Sequence, residues 1–371
     1  MMQARIDARY RTLIRRVVTI IMGTALLFAC GCNNTPKVKA AAPNVEVPAG
    51  AVLLRGAGAT FPSLLYKSWF EAYQKAHPDT VIAYDAVGSG EGVRRFVGAR
   101  IEPEEQVDFG ASDAAMTDEQ MAQVPAGARL VPMTAGAVAL AYNLPSLEGD
   151  LRLSRAALAG IFEGEIKIWD DPRIAKTNPG AHLPKLTIVT VVRQESSGTT
   201  YAFSKHLDAI SESWRAHFGP ATVINWPGNA MRAKGNEGVA STIDKAEGSI
   251  GYVGYEFANK LGLKTALLEN KSGKFIAPSL QSASAALASV QMPGNLRLFV
   301  PDPEGEDSYP IVTMSWILLY DNYPDPKKAA MVKDLFAWCL GEGQNEAKNL
   351  GYVPLPASVS NKSLASLQQV H

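Results

Sequence analysis

The chain has 371 residues, and its 36 lysine and arginine side chains balance 36 aspartate and glutamate side chains. No cluster of basic residues follows the N-terminal segment, which argues against nucleic acid as a partner because nucleic acid requires a clustered basic face. The five histidines are scattered without metal-ligand spacing, and only Cys339 lies beyond residue 32. We therefore expect no metal, no cofactor and no disulfide framework.

The first 29 residues have the pattern of an export signal. Residues 1–16 carry five arginines and one aspartate, and an apolar run of 13 residues follows at 17–29. This run is shorter than the about 20 residues that span a membrane, whereas a basic flank before a short apolar core is typical of a secretory signal. We therefore interpret residues 1–29 as a signal peptide whose removal leaves a mildly acidic protein outside the cytoplasm, in the periplasm or at the cell surface.

A cysteine directly follows this apolar core. Cys30 has Ala29 before it and Leu27 three positions upstream, which is the pattern of a lipobox, where the thiol is acylated with lipid. Cys32 is the alternative lipidation site, because Phe28 is bulkier than the residue usually found at this position of a lipobox. An ordinary secretory signal or an uncleaved membrane anchor is a further interpretation. Residues 30–50 contain three prolines and no helical or strand period, so we interpret them as a lipidated linker.

The rest of the chain alternates between strand and helix patterns. In chain order these are a strand at 51–54, a helix at 62–77, a strand at 80–87, a helix at 89–97, a strand at 107–112, a helix opened by the capping box at 117–120, a strand at 130–143, a helix at 154–166, a strand at 186–193, helices at 197–210, 236–247 and 279–290, a strand at 310–320 and a helix at 325–340. Such alternation predicts three-layer α/β packing, and about 320 residues suffice for two hydrophobic cores.

Two long apolar strands, at 130–143 and 310–320, flank the middle of the chain. If both cross a hinge, the middle section forms a domain inserted into the first one. We predict that residues 51–132 and 310–371 form a discontinuous domain I and that residues 133–309 form the inserted domain II.

Four segments place glycine, serine or threonine where a predicted strand gives way to a helix. They are residues 58–61, 88–90, 112–113 and 193–199. Such junctions point backbone N–H groups and hydroxyls along the positive end of a helix dipole, which suits an anion. At the last junction Gly198 permits close backbone approach beside the hydroxyls of Ser197 and Thr199. Several junctions that converge from two domains would surround a tetrahedral oxyanion and exclude water from it.

Each junction alone also has a structural interpretation. Residues 56–61 resemble half of a dinucleotide motif but lack its third glycine, and they are equally compatible with a tight turn. Ser89 fits a helix N-cap, and Asp113 fits a capping residue. Arg193 and Glu195 alternate along a strand and so share a face, as a surface ion pair would.

Three segments resemble the signature segments of the periplasmic phosphate-binding proteins of ABC-type phosphate-specific transporters. They are GAGATFP at 56–62, DFGASDA at 108–114 and VVRQESSGT at 191–199. Further similarities at 169–171, 178–180, 234–238 and 248–253 keep the same order between about residues 51 and 355. The resemblance implies two three-layer α/β domains joined by a two-strand hinge, as in type II periplasmic binding proteins. It also implies a monomer that binds inorganic phosphate, delivers it to the permease subunits of the membrane transporter and catalyses nothing.

The resemblance also implies a set of ligand residues. The set comprises Thr60, Phe61, Ser89 and Asp113 from the first domain and Arg193, Ser197, Gly198 and Thr199 from the second. Glu195 stands where the family usually has the aspartate that braces the ligand arginine, and its side chain is one methylene longer. Glu91 adds a negative charge beside Ser89, and we expect it to point to solvent.

Asp113 is informative because a carboxylate beside an anion is repulsive unless the anion carries a proton. Monohydrogen phosphate has such a proton and would donate it in a short hydrogen bond, whereas sulfate at neutral pH has none. Sites built to bond a group reject analogues that lack it by about 10⁴–10⁵. Arsenate carries the same proton and should be excluded much less well.

Three other functions are compatible with parts of this pattern. A binding protein for another tetrahedral oxyanion, such as sulfate, arsenate or molybdate, would use similar donors. A phosphatase or serine hydrolase would use Ser89 or Ser197, but neither serine lies in a G-x-S-x-G elbow. A surface lipoprotein with a role in sensing or adhesion would share the N-terminal pattern.

Overall fold

The computed structural model describes residues 45–288 and 290–371, so the predicted signal peptide, Cys30 and Cys32 lie outside the described residues. The strands are β1 Val52–Gly58, β2 Thr80–Ala86, β3 Phe109–Ser112, β4 Ala128–Tyr142, β5 Arg152–Leu153, β6 Val189–Arg193, β7 Met231–Ala233, β8 Ser249–Gly254, β9 Lys264–Thr265, β10 Leu267–Glu269, β11 Phe275–Ile276 and β12 Val312–Tyr320. The helices are α1 Ser63–Ala76, α2 Ser89–Val97, α3 Asp118–Met121, α4 Arg155–Phe162, α5 Pro172–Ala175, α6 Gly198–Ile210, α7 Glu212–His217, α8 Gly235–Lys245, α9 Tyr255–Lys260, α10 Leu280–Ala288, α11 Pro326–Leu340, α12 Gln344–Asn349 and α13 Ala357–Leu367, with a short 3₁₀ helix at Pro103–Glu105.

The predicted alternation of strands and helices is confirmed, with element ends shifted by a few residues. The capping box forms as predicted at Thr117 and Gln120. Cys339 is buried in α11, as the apolar pattern around it predicts. The end predicted for the first strand is wrong, because β1 continues through Gly56 to Gly58. A Cβ at Gly56 would lie 2.1 Å from Cε2 of Phe109, so the glycine that suggested a loop is what lets the strand pass this ring.

One mixed sheet contains most of the strands, in the order β2-β1-β3-β12-β4-β8-β6-β7. The strands β2, β1 and β3 are mutually parallel, as are β8, β6 and β7, while β12 and β4 run antiparallel to their neighbours. The strand β9 pairs with β4 beside this path, and β11, β10 and β5 form a second, small sheet. The α/β fold class is therefore confirmed.

The strand β4 belongs to both halves of the large sheet. Its residues 128–137 pair with β12, and its residues 138–142 pair with β8. Every residue from Leu130 to Tyr142 is buried, which explains the apolar run seen in the sequence. The change of partner lies near the predicted boundary between residues 132 and 133, and the assignment of residues to domains stays a prediction.

Aromatic packing fixes the strands that lead to the polar junctions. Phe109 in β3 packs edge-on against Phe70 and Phe336, with ring centroids 5.9 and 5.0 Å apart. Tyr252 in β8 stacks on Phe203, with centroids 4.6 Å apart. Each such pair contributes about 0.5–1.5 kcal/mol beyond the burial of its area. Within the described residues, no helix has the length and apolar character needed to cross a membrane.

Candidate functional site

The eight residues predicted to bind a ligand come together at one buried point. Thr60 and Phe61 lie between β1 and α1, Ser89 begins α2, and Asp113 directly follows β3. Arg193 ends β6, and residues 197–199 form the junction into α6. All eight are buried, and Thr60, with 6% of its surface exposed, is the most accessible of those with a polar side chain.

The Ser89 hydroxyl joins the two sides of the site. Its oxygen accepts hydrogen bonds from the backbone N–H groups of Asp113 and Gly198, each at 3.1 Å. The alternative role of Ser89 as an N-cap is wrong, because Gly88 occupies that position and Ser89 is the first residue of the helix. The alternative role of Asp113 as a capping residue is also wrong, since Thr117 caps the helix that follows it.

Gly198 is a point of close approach between the two sides. A Cβ at this position would lie 2.6 Å from Cβ of Asp113 and 2.6 Å from Oγ of Ser89. Contacts below about 3 Å are not tolerated in a packed interior, so only glycine fits here. The neighbouring Ser197 hydroxyl accepts a hydrogen bond from the Thr200 N–H at 3.1 Å and thereby caps α6.

The Arg193 guanidinium extends across the site towards both threonines. Its Nη2 donates to Oγ1 of Thr60 at 2.9 Å, and its Nη1 donates to Oγ1 of Thr199 at 3.2 Å. On its other edge Nε donates to Oε1 of Glu195 at 2.8 Å, and Nη2 also donates to this oxygen. The ion pair that the sequence predicts is therefore present, but it is not a surface pair, because only 1% of the Arg193 side chain is exposed.

Glu195 holds Arg193 in place because its carboxylate is itself fixed by a hydrogen bond. Its Oε1 also accepts a hydrogen bond from the Gly235 N–H at 3.1 Å. The extra methylene relative to aspartate therefore lets one carboxylate oxygen join Arg193 to the start of α8.

Tyr252 holds the backbone of Arg193 in place. The Arg193 N–H donates to the Tyr252 hydroxyl at 3.1 Å, and this hydroxyl is hydrogen-bonded to that of Thr200 at 2.7 Å. Burial raises the pKa of Tyr252 to about 12. The phenol therefore stays protonated at physiological pH and acts as a neutral support for the end of β6.

Phe61 is held by its carbonyl as well as by its ring. Its carbonyl oxygen accepts a hydrogen bond from the Tyr352 hydroxyl at 2.7 Å, and the two rings pack edge to face with centroids 5.6 Å apart. The backbone at the start of α1 is therefore oriented by a residue far along the chain.

Asn236, which the sequence analysis did not include, lies at the centre of the site. It is fully buried near the start of α8, and its amide nitrogen donates to the hydroxyls of both Thr60 and Thr199. It belongs to the segment 234–238, which is one of the segments that resemble the family. The available signal was its place at a helix start soon after a strand, but that strand, β7, has only three residues and no detectable period.

The Asp113 carboxyl is the acceptor among these donors. Its Oδ1 is buried and has no hydrogen-bond partner among the described residues. Burial raises the pKa of Asp113 to about 7, and the neighbouring Ser315 hydroxyl and the Arg193 charge act against this rise. Near neutral pH this group is therefore able either to accept or to carry a proton.

A second buried acid, Glu256, lies close to the site and was not predicted. Burial raises its pKa well above the ordinary value, while the neighbouring Tyr352 hydroxyl lowers it and the Asp113 charge adds to the rise. This shift favours the protonated, neutral form of Glu256, which adds no negative charge beside Asp113.

The expectation that Glu91 points to solvent is wrong in part. Its side chain is 31% exposed, but its carboxylate forms ion pairs with Arg94 and Arg95, each at 2.8 Å. These two cations lower the pKa of Glu91 and compensate its charge. The acid therefore does not oppose an anion near Ser89.

A cavity of about 640 Å³ adjoins the site on the side of Ser89. It is lined on one side by residues between Ser112 and Gln120 and on the other by Ser196, Tyr201 and Phe299. Of the eight predicted ligand residues, Ser89 is the one that lines this cavity.

Taken together, one guanidinium, several hydroxyls, backbone N–H groups and one acidic acceptor converge on a buried point between two α/β halves. This donor set matches a small oxyanion that carries a proton, and the fold is that of a two-domain binding protein.

Comparison with known proteins gives the same class. Residues 38–342 match the family described as the PBP superfamily domain. The chain is 38% identical over 315 residues to the phosphate-binding protein PstS of Pasteurella multocida, an alignment that covers 84% of this chain and 89% of that protein. The chain therefore belongs to the PBP superfamily and, within it, to the PstS family of phosphate-binding proteins, as the signature segments predicted.

Two solved structures share the fold. A high-affinity periplasmic phosphate-binding protein, PfluDING, bound with phosphate, has a TM-score of 0.71 and 23% identity, covering 85% of this chain and 93% of that chain. A putative phosphate ABC transporter substrate-binding protein with bound phosphate, from Clostridium perfringens, has a TM-score of 0.59 and 15% identity, covering 82% of this chain and all of that chain. At these identities the similarity concerns the fold alone.

Proposed function

We propose that this protein binds inorganic phosphate, as HPO₄²⁻ or H₂PO₄⁻, and delivers it to the permease subunits of an ABC-type importer without catalysing a reaction. The observation that carries the proposal is the buried Asp113 carboxyl, whose Oδ1 has no hydrogen-bond partner among the described residues although it lies beside Arg193. Phosphate retains a proton that it donates to this carboxylate. The PstS name of the relatives supports the same ligand.

The ligand set is the one that the resemblance implies. It comprises Thr60, Phe61, Ser89, Asp113, Arg193, Ser197, Gly198 and Thr199. Arg193 supplies the positive charge, and the Ser89 and Ser197 hydroxyls have their oxygens occupied by backbone N–H donors, so their protons remain for an anion. Hydrogen bonds to charged groups contribute about 1.5–3 kcal/mol each, and removing water from the ion and closing the protein offset much of this sum.

Asp113 provides the specificity in this proposal. Sulfate would place a lone pair against the buried carboxylate, which leaves an acceptor unpaired. A discrimination of about 10⁴–10⁵ corresponds to about 6 kcal/mol. Arsenate carries the proton and escapes this penalty.

We propose that residues 51–132 and 310–371 form domain I and that residues 133–309 form domain II. The change of partner within β4, from β12 to β8, supports a hinge that passes through this strand. The protein acts as a monomer, and the arrangement described here, with the Gly198 N–H on the Ser89 hydroxyl, would be its closed form.

We also propose that residues 1–29 are a cleaved signal peptide and that lipid on Cys30 anchors the protein outside the cytoplasm. Labelling of cells with a palmitate analogue tests this directly. Cys30→Ser should abolish labelling of the protein, whereas the matched variant Cys32→Ser should retain it. Labelling that is lost only in Cys32→Ser would move the anchor to the alternative cysteine.

A thermal-shift panel of phosphate, arsenate, sulfate and molybdate, on protein stripped of ligand, tests the function. A ligand that binds only the native state stabilises it by about 2.7 kcal/mol at 100 times its Kd. Phosphate and arsenate should raise the melting temperature, and sulfate and molybdate at the same concentration should not. An equal rise with sulfate would refute the assignment of phosphate, and turnover of a phosphate ester by the purified protein would refute the absence of catalysis.

A further inference from the structure

Asn236 contacts two threonine hydroxyls that belong to opposite sides of the site. Its Nδ2 lies 2.9 Å from Oγ1 of Thr60 and 3.3 Å from Oγ1 of Thr199. The orientation of the amide is fixed, because its Oδ1 accepts a hydrogen bond from the Gly254 N–H at 2.8 Å. The amide nitrogen, a donor only, must therefore face the two threonines.

A hydroxyl group has two lone pairs and one proton. At Thr199 the lone pairs receive Nη1 of Arg193, at 3.2 Å, and Nδ2 of Asn236. At Thr60 three donors, namely Nη2 of Arg193 and both nitrogens of Asn236, compete for the two lone pairs. Neither hydroxyl proton has an acceptor in these contacts, so both protons are left for a bound anion.

We infer that Asn236 is a positioning residue that sets the hydrogen-bond polarity of the site by forcing Thr60 and Thr199 to act as donors. This inference rests on the proposed function, because only an anion requires donors at both positions. An acceptor at position 236 would turn the hydroxyl protons towards itself and present oxygen lone pairs to the phosphate.

The variant Asn236→Asp makes this reversal with almost no change in shape. Isothermal titration at about pH 8 should give a phosphate affinity about 100-fold weaker or worse, because two donors to a charged ligand are lost and a negative charge is added. The melting temperature of the ligand-free variant should change little, since the two hydroxyls rotate to donate to the new carboxylate and Arg193 lies nearby. Asn236→Ala removes the amide donor without putting an acceptor in its place and should weaken phosphate binding about tenfold. The effect should arise mainly at Thr199, because Thr60 keeps two other donors whereas Thr199 keeps one.

The matched control is Asn143→Asp, which makes the same chemical change at the other end of α8. The Asn143 amide nitrogen donates to the carbonyl oxygens of Ile243 and Asp244, at 2.8 and 2.9 Å, and these acceptors cannot rotate to become donors. This variant should lower the melting temperature and keep the phosphate affinity. If Asn236→Asp behaved in the same way, with lower stability and unchanged affinity, the inference would be overturned.

The pH dependence of phosphate affinity distinguishes a reversed hydrogen-bond polarity from a structural effect of the substitution. A protonated aspartic acid at position 236 has one O–H, which again donates to one of the two threonines. The ratio of wild-type to Asn236→Asp affinity should therefore shrink as the pH falls from about 8 to about 5.5. The titratable and charged groups around this position, which both proteins share, are Asp113, Arg193, Glu195, Tyr252 and Glu256. A ratio that does not change with pH would overturn the inference alone, whereas a wild-type protein that fails to bind phosphate would overturn the proposed function as well.

Discussion

Substitution of Asp113 by asparagine keeps the size of the side chain and replaces an oxygen that accepts with a nitrogen that donates. At about pH 8 most of the wild-type carboxyl is ionised, since its pKa is about 7. Phosphate then loses one hydrogen bond to a charged group, worth about 1.5–3 kcal/mol, or about 10–100-fold in affinity. Sulfate gains a donor of comparable strength, so the discrimination between the two anions should fall by about 10²–10⁴.

The same substitution should change the pH dependence of stability. The folded-state pKa of Asp113, about 7, lies above its ordinary value of 3.8, so the native state binds the proton more tightly than the unfolded state. The free energy of unfolding therefore falls as the pH rises between these two values, and the loss is complete above the folded-state pKa. At about 1.36 kcal/mol per unit of pKa, the loss in the free energy of unfolding that the ionised Asp113 carboxylate causes reaches at most about 4 kcal/mol. Asp113→Asn should remove it, which raises the melting temperature of the ligand-free protein at pH 8 and flattens its dependence on pH.

Isothermal titration with phosphate and with sulfate measures the change in discrimination, and thermal denaturation between about pH 5 and 8 measures the change in stability. Asp108→Asn is a suitable control, because Asp108 lies near the other end of β3 and holds Lys328 and the Arg55 N–H, each at 2.7 Å. It should lower stability and leave the ratio of the two affinities unchanged. If Asp113→Asn lowered both affinities by the same factor, Asp113 would be a structural residue and the reasoning on specificity would be refuted.

Two further substitutions test the geometry of the site. Arg193→Ala should weaken phosphate binding at least about 100-fold in a titration, because two charged hydrogen bonds are lost. It should also lower the ligand-free melting temperature, because the largely buried Glu195 carboxylate loses its partner; an unchanged affinity would remove Arg193 from the site. Gly198→Ala should weaken binding about tenfold, because its Cβ would lie 2.6 Å from Oγ of Ser89 and must push the two sides apart. Gly238→Ala, whose Cβ would meet no atom closer than 3.7 Å, should bind like wild type, and equal affinities for the two alanine variants would argue against close approach at Gly198.

The sequence predicts the junctions of this site well because each junction has a local signal. A strand pattern that ends in glycine, serine or threonine and continues as a helix marks Thr60, Ser89 and Ser197 without knowledge of the fold. Asp113 enters the site through the family resemblance, and the chemical argument on its carboxylate follows from that placement. The Oδ1 of that residue, which has no hydrogen-bond partner among the described residues, supports the argument. Long, periodic elements such as β4 and α11 were predicted because their apolar patterns are also local signals.

The residues that were missed act through contacts that no local pattern encodes. Asn236 meets Thr60 across 176 positions of sequence, and Tyr352 meets the Phe61 carbonyl across 291. A lone asparagine at a helix start has the same local appearance whether it caps the helix or reaches into a cleft. The wrong end of β1 has a related cause, because glycine usually interrupts a strand and only the Phe109 ring explains why Gly56 does not.

The continuity of β4 has a consequence for how the protein unfolds. One unbroken strand supplies hydrogen bonds to β12 with its first part and to β8 with its second, so unfolding of β4 removes pairing from both halves of the sheet. We therefore expect a single cooperative unfolding event for the described chain rather than two independent ones. A ligand held between the halves consequently protects the whole molecule against heat and proteolysis, since any opening that exposes one half also releases the ligand.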